Sequence, residues 1–208
     1  AQNKLFATMT EHQYYSVGSF ERIKFTEEFF KPKRVVFLDR DGTINKRPAR
    51  ACYIEKPEDF VWLAGAIEAI NILKKNGFLV IIITNQPGIA RGNLTEEMLH
   101  CIHEKMRADL LKERTEIDDI FYCPHNWDDG CFCRKPNPGM IFEAQKKYSL
   151  NLSECYLIGD DERDIAAGEA AGCICKMVDE KYTVLDVAKE IVSLEKKEKI
   201  HDYFKDTP

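Results

Sequence analysis

Short apolar runs separated by longer amphipathic stretches dominate the chain from residue 35 onward. Five of these runs have the length of buried strands: Val35 to Leu38, Phe78 to Ile83, Ile120 to Cys123, Cys155 to Ile158 and Ile174 to Val178. Such near-continuous apolar character is typical of parallel strands that helices cover on both faces. The pattern therefore predicts an α/β fold with a mostly parallel central sheet.

Four helices are predicted over residues 64–76, 95–112, 161–171 and 184–194. Gly77 and Gly172 follow the first and third of these segments, where a left-handed residue can end a helix. Thr95 is placed to cap the N-terminus of the second. Strands that alternate with helices in this way indicate βαβ units.

Residues 1–33 depart from this pattern, because their aromatic side chains follow no clear period. We predict an N-terminal extension over residues 1–33 and one domain over residues 34–208. The first residues lack the basic and then apolar order of a signal peptide. The longest apolar run, Phe78 to Ile83, is far shorter than the ~20 residues that a membrane helix needs. A cytoplasmic protein without membrane contact is therefore expected.

Composition narrows the possible partners. The 208 residues include 30 Lys plus Arg and 35 Asp plus Glu, which gives a formal net charge of -5. The basic excess typical of nucleic-acid-binding proteins is missing, so no nucleic-acid partner is expected. The eight cysteines, in a reducing compartment, indicate metal binding, catalysis or packing rather than disulfides.

Polar side chains follow three of the predicted strands. Asp39 and Asp41 come after the first strand, Thr84 after the second, and Asp160 and Asp161 after the fourth. Ligands bind at the carboxyl ends of parallel strands, so we expect these side chains to meet at one edge of the sheet. Grouped carboxylates repel one another unless a hard cation joins them. The sequence therefore predicts a Mg²⁺ site.

Lys135 adds a positive charge to this set. Attack by a carboxylate on a phosphate monoester is opposed by like charge, which a metal ion and a cationic side chain reduce. Taken alone, Lys135 fits a solvated surface lysine, and only its companions point to catalysis.

Four ordered segments resemble the motifs of the haloacid dehalogenase superfamily of phosphatases: Phe37 to Thr43, Thr84 to Gln86, Arg134 to Pro136, and Gly159 to Asp161 with Asp164. Two longer segments, Thr84 to Gly92 and Arg134 to Met140, are similar to the D-glycero-D-manno-heptose 1,7-bisphosphate 7-phosphatase and histidinol-phosphatase group. The similarity runs from about Val35 to Val178. It implies a Rossmann-like three-layer sandwich with a minimal cap and a zinc-binding loop.

A second metal site is indicated by spacing alone. Cys123, His125, Cys131 and Cys133 form the pattern C-x-H-x5-C-x-C, whose soft ligands suit a closed tetrahedral zinc site. In the resembled group this loop holds a structural zinc. The remaining cysteines are interpreted as packing residues: Cys52, Cys101, Cys155, Cys173 and Cys175. His100 and His103 are assigned to the surface or to packing rather than to catalysis.

The resemblance also implies roles for the site residues. Asp39 would be the nucleophile and Asp41 the general acid and base. Thr84 would bond to the phosphoryl group, and Lys135 would neutralise it. The implied substrate-binding residues are Arg134, Asn85, Gln86 and Tyr53, and the implied Mg²⁺ ligands are Asp39, Asp41 through its carbonyl, Asp160 and Asp161.

The substrate remains open between relatives. A heptose 1,7-bisphosphate on the route to lipopolysaccharide precursors is favoured over histidinol phosphate, and a polynucleotide 3′-phosphate or a non-catalytic binding module is favoured less. The basic cluster of Lys46, Arg47 and Arg50 fits either a substrate contact or a solvated loop. A small phosphorylated sugar is the expected partner of a monomeric protein.

Overall fold

The computed structural model of the chain describes residues 19–30, 33–49 and 52–205. The chain divides into two compact units, residues 1–32 and residues 33–208. Helix α1, Phe20–Phe30, belongs to the first unit. Most of the predicted N-terminal extension, and Arg50 of the basic cluster, lie outside the described residues, so the domain boundary stays a prediction.

The second unit is built on a sheet of five parallel strands: β1 (Val35–Leu38), β2 (Leu79–Asn85), β3 (Asp119–Cys123), β4 (Tyr156–Gly159) and β5 (Ile174–Met177). Their order across the sheet is β3-β2-β1-β4-β5. Phe37 at the centre pairs with Ile81 on one side and Leu157 on the other. All five strands coincide with apolar runs in the sequence, which confirms the predicted α/β fold.

The helices of this unit are α2 (Ala66–Lys75), α3 (Glu96–Lys112), α4 (Gly139–Tyr148), α5 (Glu162–Ala171) and α6 (Val184–Lys205). The Thr95 side chain accepts a hydrogen bond from the Met98 amide at the start of α3, as predicted. Gly172 is left-handed at the end of α5, with φ of 83°. Helix α4 is the one that the four predicted helices do not include.

The side chains of β1 alternate between two apolar layers. Val36 and Leu38 belong to a core formed with α2, α3 and α6. Val35 and Phe37 belong to a second core formed with α4 and α5. Both faces of the sheet are therefore covered by helices, and the unit is a three-layer sandwich.

The strand order reverses on either side of β1, because the chain runs outward to β2 and β3 and later returns to β4. The residues after β1 and β4 therefore flank the point where open α/β sheets bind their ligands. Between β1 and α2, the described residues form loops and one short 3-10 turn, Pro57–Asp59. This segment agrees with the predicted minimal cap. Among the described helices, none combines the length and the apolar character needed to cross a bilayer.

Candidate active site

The carboxyl ends of β1, β2 and β4 bring the predicted acidic and hydroxyl groups to one edge of the sheet. Asp39 directly follows β1, and its amide donates to the carbonyl of Ile158 in β4, at 2.9 Å. Thr84 lies near the end of β2, and Asp160 directly follows β4. Asp39, Asp41 and Thr84 line a cavity of about 630 Å³, so this edge of the sheet borders a space that can hold a ligand.

Lys135 is buried between two carboxylates of this group. Its ammonium nitrogen lies 2.5 Å from Oδ1 of Asp39 and 2.6 Å from Oδ1 of Asp164, and it also donates to the carbonyl of Ile83. Burial raises the pKa of Asp39 to about 7 against the opposing charge of Lys135, and the Asp164 and Asp41 carboxylates add to the rise. Two acidic groups thus share one cation, which leaves negative charge to be compensated.

Asp39, Asp160 and Asp164 form a set that suits a hard cation. One carboxylate oxygen from each lies within 4.8 Å of the others. Gly42 makes room for this set, because a Cβ there would lie 2.0 Å from Oδ2 of Asp160. Mg²⁺ takes oxygen ligands of this kind, so the donor chemistry fits the predicted ion.

Asp161 is not part of that acidic set, although the sequence assigned it to the metal. Its carboxylate caps the N-terminus of α5 by accepting from the Arg163 amide at 3.0 Å, and it pairs with the Arg163 guanidinium at 2.8 Å. In return, the Asp161 amide donates to Oδ2 of Asp164. These bonds make a capping box, which turns Asp161 toward the helix and places Asp164 in the cluster.

Asp41 is surrounded by hydrogen-bond donors. Arg40 donates to it through Nε at 3.2 Å and through Nη2 at 2.8 Å, Asn45 donates at 2.9 Å, and Gln86 donates at 3.0 Å. Burial alone would raise the pKa of Asp41. The positive charge of Arg40 and the hydrogen bonds from Arg40, Asn45 and Gln86 outweigh burial and lower this pKa below its ordinary value. The carboxylate of Asp41 is therefore held in one orientation.

The side chains of Asn85 and Gln86 make their hydrogen bonds within the site. Asn85 brackets Lys135, accepting from its amide at 3.0 Å and donating to its carbonyl at 3.1 Å. Gln86 donates to the hydroxyl of Thr84 at 2.8 Å as well as to Asp41. Both amides line the cavity, yet their observed bonds orient other groups of the site.

The outer part of the cavity is basic and aromatic. Its wall includes Arg134, which was predicted from the sequence to bind substrate, and Arg91 and Trp127, which were not. Arg91 donates to the hydroxyl of Tyr53 at 2.5 Å and to Asn126 at 2.9 Å, so Tyr53 and Arg91 form one wall. Such a surface suits a ligand with a second anionic group.

Arg47 reaches from the basic loop onto the acidic cluster. Its guanidinium lies 2.9 Å from Oδ2 of Asp160 and donates to the carbonyl of Asp41 at 3.3 Å. The side chain is half exposed. Because the guanidinium also lies 3.5 Å from Oδ2 of Asp161, the arginine contacts three of the groups that the sequence assigned to Mg²⁺.

The four residues of the predicted zinc loop converge at the end of β3. Cys133 Sγ lies 3.2 Å from Cys123 Sγ and from His125 Nδ1, and Cys123 Sγ lies 3.6 Å from Cys131 Sγ. A tetrahedral ion with metal–sulfur bonds of ~2.3 Å separates its sulfur ligands by about 3.8 Å, close to this spacing. The cluster therefore fits zinc, and it directly precedes Arg134 and Lys135 in the chain.

The cysteines outside the predicted zinc loop fall into a buried group and an exposed group. Cys155 and Cys173 are buried and Cys175 is partly buried, in agreement with a packing role. Cys52 and Cys101 are exposed, so the packing prediction is wrong for these two. They lie in a loop and on the outer face of α3, where no apolar layer covers them.

One long-range contact, between Arg40 and His103, was not predicted from the sequence. Arg40 lies between the two aspartates of its motif and is fully buried, and its Nη1 lies 3.4 Å from Nε2 of His103 in α3. His103 was correctly assigned to packing, but its contact with Arg40 was not foreseen. The only sequence signal for Arg40 was its position between Asp39 and Asp41.

Comparison with known proteins agrees with this geometry. The protein-family model described as polynucleotide kinase 3 phosphatase matches residues 34–203. A crystal structure of D,D-heptose 1,7-bisphosphate phosphatase from B. bronchiseptica, complexed with magnesium and phosphate, superposes with a TM-score of 0.72 and 32% identity. The match covers 77% of this chain and 98% of that one.

Curated relatives point the same way. D-glycero-alpha-D-manno-heptose-1,7-bisphosphate 7-phosphatase of Photorhabdus laumondii is 44% identical over 67% of this chain and 78% of its own length. The D-glycero-beta-D-manno-heptose-1,7-bisphosphate 7-phosphatase of Bordetella bronchiseptica is 38% identical over 67% of this chain and 77% of its own length. The chain therefore belongs to the family described as polynucleotide kinase 3 phosphatase and, within the haloacid dehalogenase superfamily of phosphatases, to the group of the heptose 1,7-bisphosphate 7-phosphatases.

Proposed function

We propose that this chain is a Mg²⁺-dependent phosphatase that removes the 7-phosphate of D-glycero-D-manno-heptose 1,7-bisphosphate. The observation that carries the proposal is the contact of Lys135 with both Asp39 and Asp164 at the edge of the sheet. Asp39 is a buried carboxylate that can attack a phosphoryl group. The ammonium of Lys135 beside it can neutralise the charge of that group. The named relatives supply the identity of the sugar.

In the first half-reaction, an oxygen of Asp39 forms a bond to phosphorus while the bond from phosphorus to the sugar oxygen breaks. Asp41 must carry a proton in the substrate complex, against the lowered pKa of its carboxyl group in the free protein, and it donates this proton to the departing sugar oxygen, so the product leaves as an alcohol. The hydroxyl of Thr84 donates to a phosphoryl oxygen, and the ammonium of Lys135 balances its charge. The enzyme then holds an aspartyl-phosphate at Asp39.

In the second half-reaction, water attacks the phosphorus of this intermediate. Asp41, now a carboxylate, takes a proton from the water, and the bond between phosphorus and Asp39 breaks. Inorganic phosphate leaves, Asp39 is a free carboxylate again, and Asp41 is protonated for the next turnover. The same side chain serves as acid and then as base.

Asp39, Asp160, Asp164 and the carbonyl of Asp41 are the groups proposed to hold Mg²⁺. When bound, the ion supplies positive charge that stabilises the phosphoryl oxygens in the transition state. Arg47 contacts Asp160 and the Asp41 carbonyl, so it would have to release these groups for them to hold the ion. The zinc loop holds Arg134 and Lys135 in position, as expected of a structural site.

Recognition of the sugar is assigned to the outer wall of the cavity. Arg134, Arg91 and Tyr53 line this part of the cavity, which supports a role for them in binding the phosphate that is not cleaved. Asn85 and Gln86 act mainly by orienting Lys135, Thr84 and Asp41. The thiols of the zinc loop suit a reducing compartment, which supports a cytoplasmic site of action on a small-molecule substrate.

The proposal is tested by measuring phosphate release from three substrates: heptose 1,7-bisphosphate, histidinol phosphate and a 3′-phosphorylated oligonucleotide. The oligonucleotide is included because of the family model that matches residues 34–203. We expect kcat/KM for the heptose bisphosphate to exceed the others by about 100-fold or more, since of the three only it carries a second phosphate monoester on a small sugar. Preference for either competitor would overturn the substrate assignment.

The nucleophile is tested with Asp39→Asn, which keeps the shape of the side chain. We expect kcat to fall by at least about 10³-fold. Asp186→Asn is the matched control, because Asp186 interacts with Thr183 outside the cavity. If Asp39→Asn retained full turnover, the assignment of the nucleophile would be wrong.

A further inference from the structure

Arg40 is a buried cation that the proposed mechanism does not use. It is 1% exposed and lies between Asp39 and Asp41 in the chain. A guanidinium cannot lose its charge at ordinary pH. Its burial therefore costs free energy unless its N–H groups have hydrogen-bond acceptors. The partners of Arg40 therefore indicate what the residue is for.

One side of the guanidinium forks onto Asp41. Nε donates to both carboxylate oxygens at 3.2 Å, and Nη2 donates to Oδ2 at 2.8 Å. Two donors on one planar group fix both the distance and the plane of a carboxylate. Lysine has a single charged nitrogen and cannot impose the same plane.

The other side of the guanidinium is held by α3. Nη1 of Arg40 lies 3.4 Å from Nε2 of His103, which is 6% exposed and lies on the buried face of that helix. Burial lowers the pKa of His103 to about 3, and the charges of Arg40 and Arg107 lower it further. The ring is therefore neutral at ordinary pH, and Nε2 can accept the proton that Arg40 donates.

We propose that Arg40, braced by His103, is a positioning residue that sets the orientation of the Asp41 carboxylate. This inference rests on the proposed function, because it assigns to Arg40 an effect on the proton transfers that Asp41 performs. Arg40 touches neither the phosphoryl group nor the sugar in this role. Its loss should therefore lower kcat and leave KM nearly unchanged.

The first test is a double-mutant cycle between Arg40 and Asp41. We expect Arg40→Gln to lower kcat for the heptose bisphosphate by about 10- to 100-fold, with KM within about threefold of the wild-type value. In single-turnover assays on an Asp41→Asn background, adding Arg40→Gln should change the rate by less than about threefold, since the group it orients is already gone. An equal loss in both backgrounds would overturn the inference, because Arg40 would then act independently of Asp41.

Two further variants show whether Arg40→Gln acts by misplacing Asp41 or by disturbing the fold. Arg34→Gln removes a partly buried arginine that pairs with Glu195 far along the chain, and it should leave kcat unchanged. Arg40→Lys keeps the buried charge, so it provides a folded variant if Arg40→Gln fails to fold. We expect it to lower kcat with little change in KM, and wild-type kcat in Arg40→Lys would contradict the need for a planar fork.

His103 provides the second test. His103→Gln keeps a side-chain acceptor for Arg40, whereas His103→Leu removes it, so we expect a loss of kcat in the leucine variant and a smaller loss in the glutamine variant. Equal kcat in wild type and His103→Leu would show that His103 does not hold Arg40 in position.

If the wild-type protein released no phosphate from any monoester, the proposed function itself would be wrong. An active wild type with unchanged kcat in Arg40→Gln would overturn only the role of Arg40.

Discussion

The ammonium of Lys135 lies 2.5 Å from a carboxylate oxygen of Asp39 and is 3% exposed. This contact joins the end of β1 to the loop that follows the predicted zinc ligands. Asn85, at the end of β2, fixes the same lysine through both of its backbone polar groups. One buried cation therefore connects the proposed nucleophile, the central sheet and the predicted zinc loop, so its replacement is the first test.

Replacing Lys135 by methionine should abolish most of the activity and destabilise the fold. The variant leaves Asp39 and Asp164 buried together without their common cation, a change that costs about 3–5 kcal/mol when a buried ion pair is broken. We expect kcat to fall by at least about 100-fold and the urea midpoint to decrease. Lys147→Met is the control, because Lys147 pairs with Asp119 at the surface. Wild-type kcat in Lys135→Met would rule out a catalytic role for this lysine.

The Mg²⁺-free protein should lose stability as the pH rises toward neutrality. The pKa of Asp39 is raised by burial to about 7 from its ordinary value of 3.8. The folded state therefore binds a proton that the unfolded state releases, so this contribution is complete below about pH 4 and is lost as the pH rises through 7. Urea unfolding of wild type and Asp39→Asn in Mg²⁺-free buffer, without a chelator that would remove zinc, measures the difference from pH 5 to pH 8.

The difference between these two proteins isolates Asp39 from the other titrating groups. We expect the wild type to lose more stability than Asp39→Asn over this range, and Mg²⁺ to stabilise the wild type more at pH 8 than at pH 5. Parallel pH profiles for the two proteins would contradict a raised pKa at Asp39.

The strands and the main site groups could be predicted from the sequence because both follow from local rules. The apolar run Val35 to Leu38 is a strand over those same residues, and a parallel sheet brings whatever follows its strands to one edge. The grouping of Asp39, Thr84 and Asp160 could therefore be predicted from the strands alone. The predicted zinc loop could also be recognised locally, because its four residues lie within a short segment of the chain.

The features that the sequence did not indicate have a different physical origin. Asp161 was assigned to the metal with its neighbour Asp160, whereas in the structure Asp161 and Asp164 reciprocally cap α5 and Asp164 lies in the acidic cluster. The contact between Arg40 and His103 joins residues 63 positions apart, and no local pattern records it. Helix α4 was not predicted because it follows Pro136 and Pro138, which favour a loop.

Removal of zinc should weaken both the fold and the active site. Cys131→Ser takes away one of four soft ligands, so we expect zinc content to fall from one atom per chain to near zero by elemental analysis. The melting temperature should drop by about 5 °C or more, and kcat/KM should fall because Arg134 and Lys135 directly follow the loop. Cys101→Ser, at an exposed cysteine outside the loop, is the control and should change none of these. A wild-type protein purified without zinc would contradict the assignment.

Gly42 is predicted to be required for the geometry of the acidic cluster. It adopts φ of 110°, and a Cβ at this position would lie 2.0 Å from Oδ2 of Asp160. Gly42→Ala must therefore displace Asp160, and we expect Mg²⁺ affinity, measured by calorimetry, to fall by at least about 10-fold. Gly172→Ala separates this effect from backbone strain, because Gly172 has φ of 83° and a Cβ added there would meet nothing within 4 Å. The control should lose about 1 kcal/mol of stability and keep its Mg²⁺ affinity. If both variants bound Mg²⁺ with wild-type affinity, the prediction would be wrong: Mg²⁺ binding would not depend on the close approach of Gly42 to Asp160.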